Sequence, residues 1–435
     1  SLKEDLTEHI CQEEWLKSKQ IIEKCPDMVR MPLNDSGDTA LHLAAREGSL
    51  EIVNELVNCM RPEDMLIPNS SGDTALHLAA RKGSLEIVKE LVKRMRPEDM
   101  LIQNSSGDTA LHLAVERNSY EIVEELVKRM RPEVMLIPNS RGDTALHLAL
   151  KRGSSFEIVN ELVKRMRPED MLIRSSYGDT ALHVVARGGS LEIVNELVKR
   201  MRPEDMLIQN SGGETALHLA VERNSYEIVE ELVKRMRPEV MLIPNSRGDT
   251  ALHLALKRGS SFEIVNELVK RMRPEDMLIR SSYGDTALHV VARGGSLEIV
   301  NELVKRMRPE DMLIQNSGGD TALHLAVSEG RGEIVNELVK RMRPEDMLIP
   351  NLIGDTALHL AAEKNMGEIV KESVKCMRPE DMLIPNSYGM LPVHLAAKYG
   401  YNRLVDILSS RKVIDKMDHK DIKRLFLMTI RISMF

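Results

Sequence analysis

Histidine is the residue whose number and spacing in this 435-residue chain could support chemistry. Eleven of the 13 histidines recur in an eight-residue phrase that first reads Gly-Asp-Thr-Ala-Leu-His-Leu-Ala, at residues 37–44. Histidine can act as a general base or a metal ligand, and Asp, Thr and His together are the residue types of a nucleophilic site. The phrase histidines are His42, His77, His112, His147, His183, His218, His253, His289, His324, His359 and His394.

Their regular repetition favours a structural role over a catalytic one. In ten of the eleven copies the histidine follows the Thr of its phrase by three residues, as His42 follows Thr39, and this is the spacing of a capping box at a helix start. The chain has no zinc-type Cys/His spacing, no phosphate-binding Gly-rich loop and no nucleophile elbow. We therefore predict that the protein is not an enzyme and has no cofactor, metal ion or small-molecule substrate.

The phrase recurs every 35 or 36 residues, which indicates stacked copies of one small helical unit. Its glycine suits a turn with positive φ, and the Thr of the phrase is predicted to cap a first helix. Eleven residues after the turn glycine, at the Gly48 position, only Gly or Asn occurs, which predicts a left-handed end to that helix. The copies begin at Gly37, Gly72, Gly107, Gly142, Gly178, Gly213, Gly248, Gly284, Gly319, Gly354 and Gly389.

A second helix is predicted after this position. In the first copy Ser49 begins it, and an apolar stripe falls on one face at Ile52, Val53, Leu56 and Val57. An Arg-Pro pair at residues 61–62 ends it, and an extended loop leads to the next turn glycine.

Helix, tight turn, helix and loop at this period resemble the ankyrin repeat. The family's Thr-Pro-Leu-His phrase appears as Thr-Ala-Leu-His in ten copies and as Leu-Pro-Val-His, residues 391–394, in the last. The resemblance implies an all-α fold, a solenoid of stacked helix-turn-helix units with Gly-turn loops. It also implies a non-enzymatic scaffold that binds partner proteins on its concave face.

The chain further resembles one plant group, the ankyrin proteins with a C-terminal membrane domain of the PGG type. The similarity lies in the Pro-Glu-Asp after the basic end of the second helix and in an opening segment with a Trp, here Trp15, before a turn ended by Pro. Leu6, Ile10 and Leu16 are expected to line an inner stripe of that segment. The resemblance implies a role in plant stress or defence signalling.

Four regions are predicted: an N-terminal capping half-repeat (1–33), ten repeats (34–388), a terminal repeat (389–411) and a C-terminal tail (412–435). The apolar run Phe426–Phe435 is interrupted by Arg431 and is shorter than the roughly 20 residues that a membrane span needs. We expect the membrane domain of the plant group to be absent from this chain, either by truncation or in a soluble relative. The alternative function is a cytosolic regulatory domain of a membrane-anchored signalling or channel-like protein.

Charge and cysteine content limit which partners and which cellular compartment can be expected. The net charge is −7, the charges are interleaved and aromatic residues make up 3% of the chain, so we predict no nucleic-acid partner. Four cysteines without a pairing pattern favour reduced thiols. The expected location is the cytoplasm, including the cytosolic face of a membrane, where a membrane contact would require a C-terminal domain absent from this chain.

The repeats differ chiefly at the residue before the turn glycine and at the end of the first helix. In ankyrin repeats these positions line the binding groove, so the resemblance makes them the candidate protein-binding site. Tyr and Arg are the residue types that dominate binding energies. The candidates are Arg141, Tyr177, Arg247, Tyr283 and Tyr388 before the glycine, and Arg117, Lys151, Arg152, Arg187, Arg223, Lys257 and Arg258 on the first helices.

A long internal duplication underlies part of this pattern. Residues 109–213 and 215–319 are identical, 105 residues at an offset of 106, which equals three repeats. The simplest interpretation is a recent duplication, and the alternative is a surface that repeats its chemistry for a repeating partner.

Overall fold

A computed structural model describes residues 1–433, and within them the regular structure consists of helices with no strand. The chain divides into two compact units, Ser1–Leu219 and Ala220–Phe435. The predicted all-α fold of repeated helix-turn-helix units is confirmed.

Each phrase begins a first helix of seven or eight residues, and a second helix of seven to ten residues follows it. The first helices are Ala40–Glu47, Ala75–Lys82, Ala110–Glu116, Ala145–Arg152, Ala181–Gly188, Ala216–Glu222, Ala251–Arg258, Ala287–Gly294, Ala322–Ser328, Ala357–Glu363 and Pro392–Lys398. The second helices are Leu50–Cys59, Leu85–Arg94, Tyr120–Arg129, Phe156–Arg165, Leu191–Arg200, Tyr226–Arg235, Phe262–Arg271, Leu297–Arg306, Gly332–Val339, Gly367–Cys376 and Asn402–Leu408.

The core lies between successive helix pairs within each unit. First helices pack on first helices and second helices on second helices. The predicted stripe of the first second helix is buried, with Ile52, Val53, Leu56 and Val57 each at most 1% exposed. Because alanine recurs in the phrase, neighbouring first helices can approach closely, and Ala44 has no exposed surface.

The loop after each of the first ten second helices carries a short helix that sequence analysis did not predict. Its residues form a 3₁₀ turn. In eight of the ten turns an aspartate caps the arginine before the proline, as where Asp99 Oδ2 accepts from the Arg96 backbone N–H at 2.9 Å, and in the other two Val134 and Val240 replace it. Proline suits the first position of such a turn because its fixed φ is already helical. These turns are Pro62–Leu66, Pro97–Leu101, Pro132–Leu136, Pro168–Leu172, Pro203–Leu207, Pro238–Leu242, Pro274–Leu278, Pro309–Leu313, Pro344–Leu348 and Pro379–Leu383.

The N-terminal segment forms two α-helices, Leu2–Cys11 and Trp15–Lys24, and a 3₁₀ turn, Pro26–Val29. Leu6 and Ile10 are buried as predicted, but the assignment of Leu16 to the inner stripe is wrong, since this side chain is 76% exposed. The chain leaves the helix after Cys11 and begins a new one at Trp15, which shifts the helical register. Trp15 and Ile22 therefore occupy the buried face instead.

The turn glycines have the conformation that the sequence predicts. All eleven have φ between +66° and +76°. At the end of the first helix the prediction holds for Gly48 and its equivalents except two, because Gly189 and Gly295 have φ of −85° and −84°. A Cβ at Gly189 would lie 2.1 Å from Cγ2 of Val185. Glycine is needed at these two sites for lack of space, not for a left-handed backbone.

The C-terminal segment is helical, which sequence analysis did not predict. After the last second helix come Arg411–Ile414 and the 15-residue helix His419–Ser433, here called the C-terminal helix, which packs on the first helix of the last repeat. The final two residues of the apolar run Phe426–Phe435 lie outside the described residues. Among the helices described, none is long and apolar enough to cross a membrane.

Candidate functional site

A phrase histidine joins its own helix start to the next repeat or, in the case of His394, to the C-terminal helix. The Thr39 backbone N–H donates to Nδ1 of His42 at 3.1 Å, and the Thr39 hydroxyl lies 2.8 Å from the same nitrogen. On the opposite side of the ring, Nε2 of His42 donates to the carbonyl oxygen of Asp73 in the next repeat at 2.8 Å. The same bond, at 2.9–3.0 Å, links His77 to Asp108, His112 to Asp143, His147 to Asp179, His183 to Glu214, His253 to Asp285, His289 to Asp320, His324 to Asp355, His359 to Met390 and His394 to Asp421.

These partners determine the protonation state of the ring. A backbone N–H can only donate and a carbonyl can only accept, so the His42 ring is neutral and carries its proton on Nε2. Burial lowers the pKa of His42, against the opposing effect of the Asp73 carbonyl. The predicted capping box is present. Since both ring nitrogens are engaged and Thr39 is buried, the trio has neither a free base nor access to a substrate.

A second set of bonds crosses from repeat to repeat through a buried aspartate. Nδ2 of Asn69 donates to Oδ1 of Asp38 at 2.8 Å, and Arg46 on the first helix donates to Oδ2 at 2.6 Å. Burial alone would raise the pKa of Asp38, but hydrogen bonds from Asn69 and Asn34 and the Arg46 ion pair hold that pKa below its usual value. The same Asn-to-Asp bond recurs from Asn104, Asn139, Asn210, Asn316, Asn351 and Asn386.

Two repeats of the duplicated segment replace this asparagine by serine, at Ser175 and Ser281. The hydroxyl of Ser175 is buried and has no hydrogen-bond partner. The aspartate of the preceding repeat is held by a lysine instead, since Nζ of Lys151 lies 2.5 Å from Oδ1 of Asp143. Lys257 does the same at the second site. The lysines predicted to bind partners therefore also neutralise a buried carboxylate.

The residues before the turn glycines project from the loop tips. The tyrosines here are the most exposed aromatic side chains described, with Tyr177 and Tyr283 71% exposed and Tyr388 69% exposed. The ammonium groups of Lys151 and Lys257 lie over two of these rings, 5.7 and 5.9 Å from the centroids of Tyr177 and Tyr283. The tips at Tyr177 and Tyr283 thus each present a tyrosine ring in contact with a lysine of the preceding repeat.

The predicted arginines separate into paired and unpaired groups. Arg152 and Arg258 donate to Glu116 and Glu222 of the preceding first helix, and Arg187 lies 3.0 Å from the carboxylate of Asp179. The other predicted arginines are exposed and pair with no carboxylate in the described part of the chain: Arg117, Arg141, Arg223 and Arg247.

Within the first unit the loop tips and first helices enclose a polar groove of about 410 Å³. Its lining includes the unpaired Arg141, the paired Arg152 and Glu116, and the amide of Asn139. A groove with both charge signs and hydrogen-bonding amides fits a polar protein surface better than an apolar ligand. Within residues 1–433, no three His, Cys, Asp or Glu side chains come together as a metal site.

The geometry defines a repeat scaffold, with buried polar bonds between repeats and variable side chains at the loop tips. A family model described as "Ankyrin repeats (3 copies)" matches residues 14–99, 56–136, 90–171, 134–204, 152–242, 183–280 and 252–347. These matches run over more than half of the chain, and the protein belongs to the ankyrin-repeat family. Ankyrin repeats are typically non-enzymatic interaction modules, which makes this chain a protein–protein interaction scaffold with protein partners.

Among solved structures, the ankyrin repeat domain of Bcl-3, described as a unique member of the IkappaB protein family, is 28% identical to this chain. The match covers 54% of this chain and 99% of that chain, with a TM-score of 0.46. No curated protein matches the sequence.

Sequence reasoning found the capping role of the histidines and the exposed tyrosines. It missed the bond from each ring to the next repeat, because the acceptor is a backbone carbonyl about one repeat away and has no side-chain signature. It also did not separate the paired arginines from the unpaired ones. A signal for the pairs was present, since Arg152 and Glu116 occupy neighbouring positions on adjacent first helices.

Proposed function

We propose that the loop tips and the exposed ends of the first helices bind partner proteins, with Tyr177, Tyr283 and Tyr388 as apolar anchors and unpaired arginines as ionic contacts. The observation that carries the proposal is that Arg141 and Arg247 are exposed without a carboxylate partner beside tips that present tyrosine rings. Exposed guanidinium and tyrosine groups can be buried against a partner without breaking an internal bond. Binding hot spots are enriched in these two residue types.

The remaining predicted binding residues lie on the same face, but some of them also hold the fold together. Lys151, Lys257 and Arg187 hold buried aspartates of the fold, so their contribution to binding is limited to the part of the side chain that solvent reaches. Arg117 and Arg223 extend the unpaired set onto the first helices. We infer that the loop tips determine which partner protein binds and that the first helices supply polar contacts common to all partners.

The test is the double charge reversal Arg141→Glu with Arg247→Glu. Lys151 is left unchanged because a glutamate there would face the buried carboxylate of Asp143 and destabilise the fold. We expect proteins captured from extracts of the source tissue by the unaltered chain to fall at least tenfold with the variant, while its circular dichroism stays unchanged.

A matched control is the double variant Lys199→Glu with Lys305→Glu. These exposed lysines stand 106 residues apart on second helices, as equivalent copies of the duplication, and their reversal changes the net charge equally. Equal loss of every captured protein with both variants would show a general charge effect and would contradict the assignment to the tips.

We also propose, as the finer biological setting, a cytosolic scaffold in plant stress or defence signalling, with a membrane-anchored protein as the alternative. The support is the resemblance of the opening segment with Trp15, and of the Pro-Glu-Asp turns, to plant ankyrin proteins of the PGG type. Fractionation of the endogenous protein separates the two settings. A product clearly above 49.1 kDa in the membrane pellet supports the anchored form, and a soluble product near 49.1 kDa supports the stand-alone scaffold.

A further inference from the structure

The last repeat has a cation that lacks the carboxylate found in the other repeats. Where the residue nine positions after the turn glycine is basic, it pairs with the aspartate of its own phrase, as Arg46 pairs with Asp38 at 2.6 Å. The same pair forms at 2.5–3.2 Å in five more repeats, and these are Arg81–Asp73, Lys151–Asp143, Arg187–Asp179, Lys257–Asp249 and Arg293–Asp285.

In the last repeat the basic residue is Lys398, but Met390 takes the place of the aspartate. Nζ of Lys398 pairs with no carboxylate of the described chain and lies over the ring of Tyr399, 5.3 Å from its centroid. The substitution therefore leaves a positive charge beside an apolar side chain where other repeats have a neutralised pair.

This lysine lies in a cavity of the second unit that is about 1000 Å³ in volume. The cavity is bounded by the loop tips of the last two repeats and by the C-terminal helix, and its apolar lining includes Ile353, Tyr388, Leu395 and Met428. Leu352, at the tip beside it, is 74% exposed. A concave, largely apolar surface of this size, with Lys398 and Arg424 as its cations, has the form of a peptide-binding groove.

The other charged groups in the lining are already engaged. Arg424 donates to the carbonyl oxygen of Gly389 at 2.7 Å, a bond that fastens the C-terminal helix to the last repeat. The carboxylates of Asp355 and Glu363 accept hydrogen bonds from Asn386 at 2.8 Å and from the Tyr399 hydroxyl at 3.1 Å. Lys398 differs from these groups because its ammonium has no hydrogen-bond or carboxylate partner in the described chain, whereas Arg424 is already fastened through one of its N–H groups.

We propose that this groove binds an extended apolar segment of a partner protein that places one Asp or Glu side chain on Lys398. The ligand's carboxylate would take the position that the phrase aspartate holds in other repeats, and its apolar residues would cover Ile353 and Tyr388. A polyanion such as nucleic acid is disfavoured, because Asp355 and Glu363 lie in the same groove and would repel the additional charges. The proposal rests on the protein-binding role above and shares Tyr388 with it, but its charge contact, Lys398, is distinct from Arg141 and Arg247, so either can fail alone.

The test begins with selection of peptides from a displayed library of random 12-residue sequences on the full chain. We expect the selected peptides to share an acidic residue flanked by apolar ones. The affinity of a fluorescein-labelled selected peptide is then measured by fluorescence polarisation for the unaltered chain and three variants. Lys398→Ala and Met390→Asp should each weaken binding at least tenfold, and Lys398→Arg should stay within threefold.

Met390→Asp is the most informative variant, because it keeps Lys398 in place but gives its ammonium group a carboxylate partner within the chain. Every other copy of the phrase has Asp or Glu at this position, so the repeat accommodates it. Circular dichroism at matched concentration checks that the fold is retained. Selected peptides without an acidic residue, or with equal affinity for Lys398→Ala and the unaltered chain, would overturn the proposal.

Two further outcomes separate this groove from other occupants. Arg141→Glu, in the first unit, should leave the affinity of the peptide unchanged, and a loss there with none in Lys398→Ala would assign the peptide to the loop tips instead. Sedimentation of the unaltered chain should show a monomer. A dimer that Lys398→Ala dissociates would identify the occupant as a second copy and contradict a separate partner.

Discussion

Mild acid is expected to unfold this protein, because ten buried phrase histidines must remain neutral. Burial lowers the pKa of each, from His42 to His394, whereas an unfolded histidine titrates near pH 6.5. A group with a lowered pKa in the fold stabilises the fold fully above its unfolded pKa, and this stabilisation is lost as the pH falls toward the folded pKa. Each histidine can remove up to about 1.4 kcal/mol per pH unit from the free energy of unfolding.

The geometry explains why the folded ring resists protonation. A second proton would have to sit on Nδ1, where the backbone N–H of Thr39 already points at His42. Two donors would then face each other in a buried site. Ten such sites amount to up to about 14 kcal/mol per pH unit, which is comparable with the ~5–15 kcal/mol that stabilises an ordinary domain.

Urea unfolding followed by circular dichroism measures this effect. We expect the midpoint to be constant above about pH 7 and to fall steeply from about pH 6.5 to 5. Asp38 and Asp73 have lowered pKa values in the fold and lose their contribution only at lower pH, as the pH falls below about 4. Salt at about 0.5 M serves as a control, since it screens surface charges but not burial. A midpoint that does not change over this range would contradict the neutral-ring assignment.

Replacement of a turn glycine by alanine should cost more than the backbone conformation alone explains. Gly107 has φ of +74°, and a Cβ there would lie 2.5 Å from the backbone nitrogen of Ser140 in the next repeat. That nitrogen donates to the carbonyl oxygen of Ser106 at 3.0 Å, a bond that the new methyl group would disrupt. We expect Gly107→Ala to lose about 2–4 kcal/mol, from backbone strain and a broken hydrogen bond together.

Gly153→Ala is the matched control for this variant. Its φ is also positive, at +66°, but a Cβ there would meet no atom within 4 Å. The control should therefore lose only the roughly 1–2 kcal/mol of backbone strain. Urea midpoints of both variants at pH 7.5, with amide hydrogen exchange near Ser140, measure the difference. Equal losses in the two variants would show that the close approach between repeats carries no energy.

Features that depend on a single repeat were predictable from the sequence, and features between repeats were less so. The buried stripe from Ile52 to Val57 follows from helical periodicity, and the positive φ of Gly37 follows from turn chemistry. The turn glycines also leave space for the backbone of the next repeat. This second role could not be predicted, because it depends on how neighbouring repeats stack. The exposure of Leu16 was wrongly predicted because the helix break before Trp15 resets the register.

At the candidate site, too, some features could be predicted from the sequence and others could not. Exposure of Tyr177 follows from its place at a loop tip, and its ring is indeed exposed. That Lys151 is tied to Asp143 was not predicted, because the two residues lie eight positions apart, one in the turn and one at the end of the first helix, and meet only in the folded repeat. The C-terminal helix was missed because its apolar residues were considered only as a possible membrane span.

The bond from each histidine ring to a backbone carbonyl has a genetic consequence. The acceptor residue is Asp in most repeats but Glu214 after His183 and Met390 after His359, and the bond has nearly the same length in each case. The histidine bond between two repeats can therefore form between any pair of repeats, whatever the side chain of the acceptor residue. We call this bond a joint. Unequal recombination that inserts or deletes a whole number of repeats, such as the 106-residue copy in this chain, regenerates a complete joint at the new boundary. The gene can change length in steps of one repeat without a compensating mutation.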